Sequence, residues 1–376
     1  MSSSSQKHLH VVSFDVPFPP NYGGVIDVFY KIKALYNLGV NITLHSWKYG
    51  DRGERSELTR YCKKVIYYKR NRFMNPFAGP LPYIVKTRYN QTLVNNLNVD
   101  DSPVLFEGLH TTAPLFFSVL KPTKKIMVRN HNIESDYYRL LAEKETKPFK
   151  RAYLRKDAKL LKSYEPILAK ADFVAAISHK DCNQLQPLCN SIYVPAFHPN
   201  ETLSIKKGSG NYCLYHGNLG VAENSEAAIW LVKNVFSKIK VPLIIAGNTA
   251  PTELRKLVDQ YEHIQLKENL KIAEFDNLIQ NAHINVLPTF QPTGIKLKLL
   301  NALYKGRYCL VNEHMVINTG LESIVDLANS SDEFVRKIEQ LINRQFGENE
   351  IAKREPLLKN HFSNQKSAQS IIKHLY

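Results

Sequence analysis

The sequence lacks any run of roughly 18 apolar residues, so no segment is expected to span a bilayer as a helix. Met1–Gln6 is serine-rich without the apolar stretch of a secretory signal, and the chain is expected to stay in the cytoplasm. Cysteine is scarce. The five, Cys62, Cys182, Cys189, Cys213 and Cys309, are scattered and odd in number, with no pair of pairs spaced for zinc, and read as reduced, mostly buried thiols. The G-x-G-x-x-G dinucleotide fingerprint is missing, as is a phosphate loop with its Lys and Ser/Thr, which argues against dehydrogenases and P-loop enzymes. Acidic residues are in deficit: thirty-four Asp and Glu stand against fifty Lys and Arg, for a formal charge of +16. That balance favours anionic partners such as nucleic acid, phospholipid headgroups or phosphorylated small molecules. Nucleic acid is disfavoured, because no helix-turn-helix, zinc or RNA-recognition signature accompanies the charge.

What is present is a 376-residue chain with 44% hydrophobic residues, enough for two domains each with its own core. Short apolar runs alternate with segments of helical period, the pattern of parallel α/β sheets. In the first half strands are expected at Leu9–Phe14, Val40–Ser46, Val65–Tyr68, Val104–Glu107, Ile126–Asn130 and Phe173–Ile177. In the second they are expected at Cys213–His216, Leu243–Ala246, Ile264–Leu266, Ile284–Leu287 and Tyr308–Val311. The aperiodic stretch His198–Asn211 reads as a linker. The expected organisation is a doubly wound domain over 1–197, a second over 198–355, and a C-terminal helical segment, 356–376, packing back on the first.

Ligands of open parallel sheets bind beyond the carboxyl ends of the strands, so the loops there are the expected places for chemistry. Gly23 and Gly24 lie between the first strand and its helix, where a bare backbone admits a phosphate; a tight turn accounts for them equally well. VRNHNIESDYY at 128–138 crowds Arg129, His131, Asn132 and Glu134 after a strand, a polar concentration that a core would reject. His110 follows another strand beside Glu107 and ranks behind His131 as a candidate, since a helix start at Thr111 gives the same pattern. Gly217, Asn218 and Gly220 repeat the strand-to-glycine design at the head of the second domain. In LPTFQPTGIKLKLLNALYKG at 287–306, Thr293, Gly294 and Ile295 lead into a helix whose first turn carries Lys296 and Lys298. Cations oppose the helix dipole there, and a bound anion supplies a reason for them. Lys63, Lys64, Lys69, Arg70 and Arg72 lie among Tyr61, Tyr67, Tyr68, Phe73 and Phe77, a mixture suited to a membrane interface or a phosphate-bearing lipid.

Taken in order, PFPPNYGG, RNHNIESDYY, YHGNL and AHINVLPTFQPTGIKLKLLNALYKGRYCLVN resemble the motifs of family 4 glycosyltransferases over nearly the whole chain. The resemblance implies the GT-B fold: two facing Rossmann-like, doubly wound α/β domains, with C-terminal helices crossing back to the first. It implies a retaining, metal-independent hexosyltransferase using a nucleotide-diphosphate sugar as co-substrate and no other cofactor. The acceptor would be a glycan or lipid-linked molecule of surface polysaccharide or glycoconjugate synthesis, handled at the inner face of the membrane. His131 then matches the active-site histidine, Gly23 and Gly24 face the donor phosphates, and Lys298 falls where many relatives carry a basic residue. The two glutamates of the donor motif are replaced here by Thr293 and Asn301; neither supplies a carboxylate, although Asn301 can still hydrogen-bond a ribose. A catalytically silent sugar-nucleotide or glycan-binding protein of the same fold is the alternative that this replacement supports.

Overall fold

The computed structural model describes residues 7–48, 50–291, 297–317 and 319–376. The chain divides into two compact units, the first comprising Met1–Phe197 with Asn364–Tyr376 and the second His198–Ser363. Unit 1 holds seven parallel strands: β1 (His8–Ser13), β2 (Asn41–Lys48), β3 (Lys64–Lys69), β4 (Val104–Glu107), β5 (Ile126–Asn130), β6 (Phe173–Ala176) and β7 (Ser191–Tyr193). Their order is β3-β2-β1-β4-β5-β6-β7, so the winding reverses between β1 and β4, where His10 pairs with Val104.

Successive residues of a strand face opposite sides of the sheet, and here both sides are covered. Val12, Phe106, Val128 and Val174 pack in one core with Leu161 and Tyr164 of the helix Pro148–Tyr164. Their neighbours Val11, Leu105, Met127 and Ala175 pack in another with Val28, Ile32 and Leu35 of the helix Gly23–Asn37. Ala368, Ile371 and Leu375 of the last helix, Asn364–Leu375, complete that second layer.

Unit 2 is built the same way from β8 (Cys213–His216), β9 (Leu243–Ala246), β10 (Ile264–Lys267), β11 (Ile284–Val286), β12 (Tyr308–Val311) and β13 (Asp326–Leu327). The order is β10-β9-β8-β11-β12-β13, with the reversal between β8 and β11.

Strand positions follow the sequence reading within a residue or two, with two additions. β7 and β13 are edge strands of three and two residues, too short to carry a periodicity of their own. The last segment also differs from expectation. Pro356, read as the start of a crossing helix, lies inside the helix Glu348–His361 of unit 2, and the chain enters unit 1 only at Asn364. The cysteines are all free, with only Cys189 less than fully buried. Among the described residues no helix is long and apolar enough to cross a membrane.

Candidate functional site

The carboxyl end of the first sheet carries a buried ionic network whose origin is legible in the strand register. Glu107 lies two residues beyond Leu105 and Arg129 two beyond Met127, so both face the layer occupied by the helix Gly23–Asn37, and they pair with each other across β4 and β5. That helix answers with Asp27 and Lys31, one turn apart beside its apolar stripe. Lys31 Nζ donates to Asp27 Oδ2 at 2.7 Å and to Glu107 Oε2 at 2.9 Å. Arg129 grips Asp27 with two donors, Nη2 to Oδ1 at 2.9 Å and Nε to Oδ2 at 3.1 Å, and also donates to the carbonyls of Val194 and Pro195. The Phe197 amide adds a further bond to Asp27 Oδ1 at 2.8 Å. Burial by itself would raise the Asp27 pKa, but the Arg129 and Lys31 charges hold it well below the ordinary carboxylate range.

His131, just past β5, is fixed by this network. Its Nε2 donates to Glu107 Oε2 at 3.1 Å, its Nδ1 lies 3.8 Å from Asp27 Oδ2, and 9% of its side chain reaches the surface. The second carboxylate oxygen of Glu107 is buried without a hydrogen-bond partner among the described residues, an uncompensated acceptor of the kind found at functional sites. Asp27, Glu107 and His131 bring three ligand-type atoms within 4.8 Å of one another. Lys31 already bridges the two carboxylates and Arg129 pairs with Asp27, so these side chains supply the positive charge that a metal ion would bring.

Phe14, the residue after β1, gathers the other candidates. Its ring lies 5.5 Å edge-on from His131 and 5.3 Å from His110, and a Cβ on Gly24 would sit 2.7 Å from its Cζ. Gly24 is therefore needed for close approach, whereas a Cβ on Gly23 would meet open space. The glycine loop is pinned by Arg52, which donates to the carbonyls of Val16 and Pro19 and to Asn21 Oδ1 and pairs with buried Asp15. His110 is held neutral, its pKa driven well below the ordinary value by burial and then by the Arg88, His131 and Arg70 charges. Its Nδ1 has no hydrogen-bond partner among the described residues and faces Glu134 Oε1 at 4.0 Å. Burial pushes the Glu134 carboxyl up to about 8, with Arg88 opposing and Glu165 reinforcing the shift. Thus Gly24, His110 and His131 converge on Phe14, and Glu134 faces His110 with its carboxyl pushed up by burial.

At the carboxyl end of the second sheet, Lys298 is the second residue of the helix Leu297–Lys305. Its Nζ donates to Asn224 Oδ1 at 2.6 Å and to Tyr215 Oη at 3.4 Å, and lies 5.2 Å from the Tyr215 ring centre. Together with Lys305 it reinforces the burial that pushes the His216 imidazole down to about 3. The glycine loop after β8 is a self-contained turn. Asn218 Oδ1 accepts the Gly220 amide, Asn218 O accepts Asn224 Nδ2, and a Cβ on Gly217 would meet Asn224 at 3.1 Å. The helix that follows begins at Ala222, which brings Glu223 and Asn224 into its first turn. Asn301 Oδ1 accepts from Asn200 Nδ2 at 2.8 Å, tying the linker to the helix Leu297–Lys305. Thr293, Gly294, Ile295 and Lys296, also singled out in the sequence, lie outside the described residues.

No protein-family model matches the chain. It is similar to a Klebsiella pneumoniae protein described as an uncharacterized 44.6 kDa protein in the cps region, 26% identical over 341 residues, spanning 86% of this chain and 87% of that one. Among solved structures it resembles an S. aureus TarM variant in complex with fondaparinux, alpha-GlcNAc-glycerol and UDP. There the TM-score is 0.67 at 11% identity, covering 98% of this chain and 99% of that one. It also resembles a UDP-forming alpha,alpha-trehalose-phosphate synthase from Burkholderia xenovorans in complex with glucose-6-phosphate, with a TM-score of 0.65 at 9% identity, covering 98% and 100%. The fold is GT-B.

Within this GT-B chain several residues of the two strand-end regions escaped the sequence reading. Asp27 and Lys31 look like an ordinary surface pair at helical spacing, and only their position beside buried Val28 and Ile32 marks them. Asp15 and Arg52 come from separate segments that topology alone brings together. Glu223 accepts from the Thr289 hydroxyl at 2.5 Å and brings a carboxylate to the first turn of its helix at the carboxyl end of the second sheet.

Proposed function

We propose that the protein is a retaining glycosyltransferase that moves a hexose from a nucleotide-diphosphate sugar to a glycan or lipid-linked acceptor of surface polysaccharide or glycoconjugate synthesis. The observation that carries this reading is the convergence of His110 and His131 on Phe14 at the carboxyl ends of β1, β4 and β5, with Glu134 facing His110 and His131 fixed by Glu107. The relative from a cps region and the GT-B structures crystallised with UDP or a sugar phosphate support the substrate class.

In this scheme the bond between the anomeric carbon and the phosphate oxygen breaks, and the departing nucleoside diphosphate takes up the electron pair. Lys298 offsets the charge that develops on it. An acceptor hydroxyl attacks from the face the leaving group vacates and passes its proton to a phosphate oxygen. His131, its Nε2 proton committed to Glu107, orients the sugar, and positioning and charge stabilisation account for most of the rate. No step calls on a metal ion or a further cofactor.

The test is a thermal-shift screen against UDP, GDP, ADP, CMP and their sugar conjugates. A ligand at about a hundred times its Kd stabilises the folded state by roughly 2.7 kcal/mol. One selective, saturable shift followed by release of the nucleotide diphosphate in the presence of acceptor is the expected result. No response to any nucleotide at millimolar concentration would overturn the reading. Binding without turnover would establish the silent sugar-nucleotide binder, which the carboxylate-free positions Thr293 and Asn301 favour.

A further inference from the structure

Between Glu57 and Asp100 the sequence contains no acidic residue, and within that stretch the turn after β3 displays two phenylalanines to water: Phe73, 97% exposed, and Phe77, 46% exposed. Tyr68, read from sequence as part of the same aromatic surface, is buried in one core of unit 1, and Tyr61 packs partly against the other. The turn is held firmly. Lys86 Nζ donates to the carbonyls of Asn75 and Ala78, each at 2.6 Å, Tyr83 Oη donates to the Arg72 carbonyl at 2.7 Å, and Lys156 Nζ donates to the Phe77 carbonyl while lying over its ring.

Lys156 belongs to the helix Pro148–Tyr164, and Phe149 lies two turns before it on the same helix face, 87% exposed. Tyr153, between them on that face, stacks edge-on against Tyr83. Three exposed phenylalanines therefore share one ordered face of unit 1; exposed Lys69 ends the strand that leads into the turn, and exposed Arg155 and Lys159, one helical turn apart, line the adjoining side of the helix. Large exposed apolar rings grouped on a soluble surface mark an interaction site.

We propose that this face docks on the surface of an anionic phospholipid bilayer, the phenylalanines entering the acyl boundary and the cations meeting the headgroups. A polyanionic glycan can engage the cations and stack a sugar on a ring, but Phe73, 97% exposed, projects into water instead of lining a concave sugar site, so the rings favour the membrane. This inference does not depend on the transferase reading.

The experiment is sedimentation of the full-length protein with vesicles of phosphatidylcholine alone or with about 30% phosphatidylglycerol, at low and high salt. Binding that requires the anionic lipid is expected. Phe73→Ser/Phe77→Ser/Phe149→Ser should weaken it by at least about tenfold, and Arg155→Gln/Lys159→Gln by roughly tenfold to thirtyfold, more so at low salt. These side chains are exposed, so the variants should melt like the wild type and keep their nucleotide-induced thermal shift. Equal sedimentation with both vesicle types would overturn the proposal, as would undiminished binding by the triple phenylalanine variant. So would a pattern in which those substitutions abolish binding to dextran sulfate and leave vesicle binding intact. Because the readout needs no turnover, its failure is distinguishable from failure of the transferase assignment.

Discussion

Replacing Arg129 with methionine keeps the bulk of the side chain while removing the cation on which the unit 1 network turns. Asp27 then loses two charge-assisted hydrogen bonds, and the carbonyls of Val194 and Pro195 lose their donor, all in a fully buried setting. Breaking a buried ion pair by removing one partner costs about 3–5 kcal/mol. For a unit of roughly 200 residues each kcal/mol lowers Tm by about 2–4 °C, so the variant should melt roughly 6–20 °C lower. The chain has two tryptophans, Trp47 in unit 1 and Trp230 in unit 2, and in a Trp230→Phe background the buried Trp47 reports unit 1 alone. Urea unfolding followed by its fluorescence, with the Asp27→Asn single and double variants, closes a double-mutant cycle. The two substitutions should couple by at least about 1 kcal/mol. Because the folded Asp27 pKa is depressed, its stabilisation is present above the unfolded value of about 4 and lost as pH falls toward the folded one. The gap between wild type and Arg129→Met should therefore narrow below about pH 4. Additive single effects, or a loss under about 1 kcal/mol, would refute the claim that the network is held by charge.

Glu134 carries the opposite sign. Its folded pKa of about 8 exceeds the unfolded one, so wild type should lose stability relative to Glu134→Gln as pH rises from about 4.5 to about 8, by roughly 3–5 kcal/mol in all. Urea midpoints of the two proteins across that range check it, and parallel curves would show the carboxyl to be ionised throughout. His131→Ala should lower kcat by about a hundredfold or more with Tm within a few degrees of wild type, measured as nucleotide diphosphate release once the donor is known. Lys298→Ala should weaken binding of that nucleotide diphosphate by about tenfold to a hundredfold in calorimetric titration, the effect expected of one charge-assisted contact. Unchanged affinity would remove Lys298 from the donor site.

The gain in legibility from sequence to structure was uneven, and the reasons are local. Strands such as β4, β5, β8 and β12 announce themselves because both faces of a parallel sheet are covered and the apolar run is continuous. His131 and Glu134 stood out because polar residues clustered after a strand have few explanations other than a ligand loop. Asp27 and Lys31 did not, because an i,i+4 ion pair on a helix reads as solvated until the neighbouring layer is seen to bury it. Pro356 misled because proline marks helix starts more often than interiors, and its tolerance inside the helix Glu348–His361 depends on surroundings that no local rule contains.

Sequence periodicity alone determined two parallel α/β units, their strands apart from the short edge strands β7 and β13, and the loops where chemistry could sit, since these depend on spacings of two and 3.6 residues along the chain. Only tertiary structure decided that Asp27, Lys31, Glu107, Arg129 and His131 form one network, and that Phe14 gathers Gly24 and two histidines. It also decided that Phe73, Phe77 and Phe149 share a face. Each of these depends on which strand lies beside which and which helix covers them, contacts between residues up to about a hundred positions apart in the chain that no local spacing encodes.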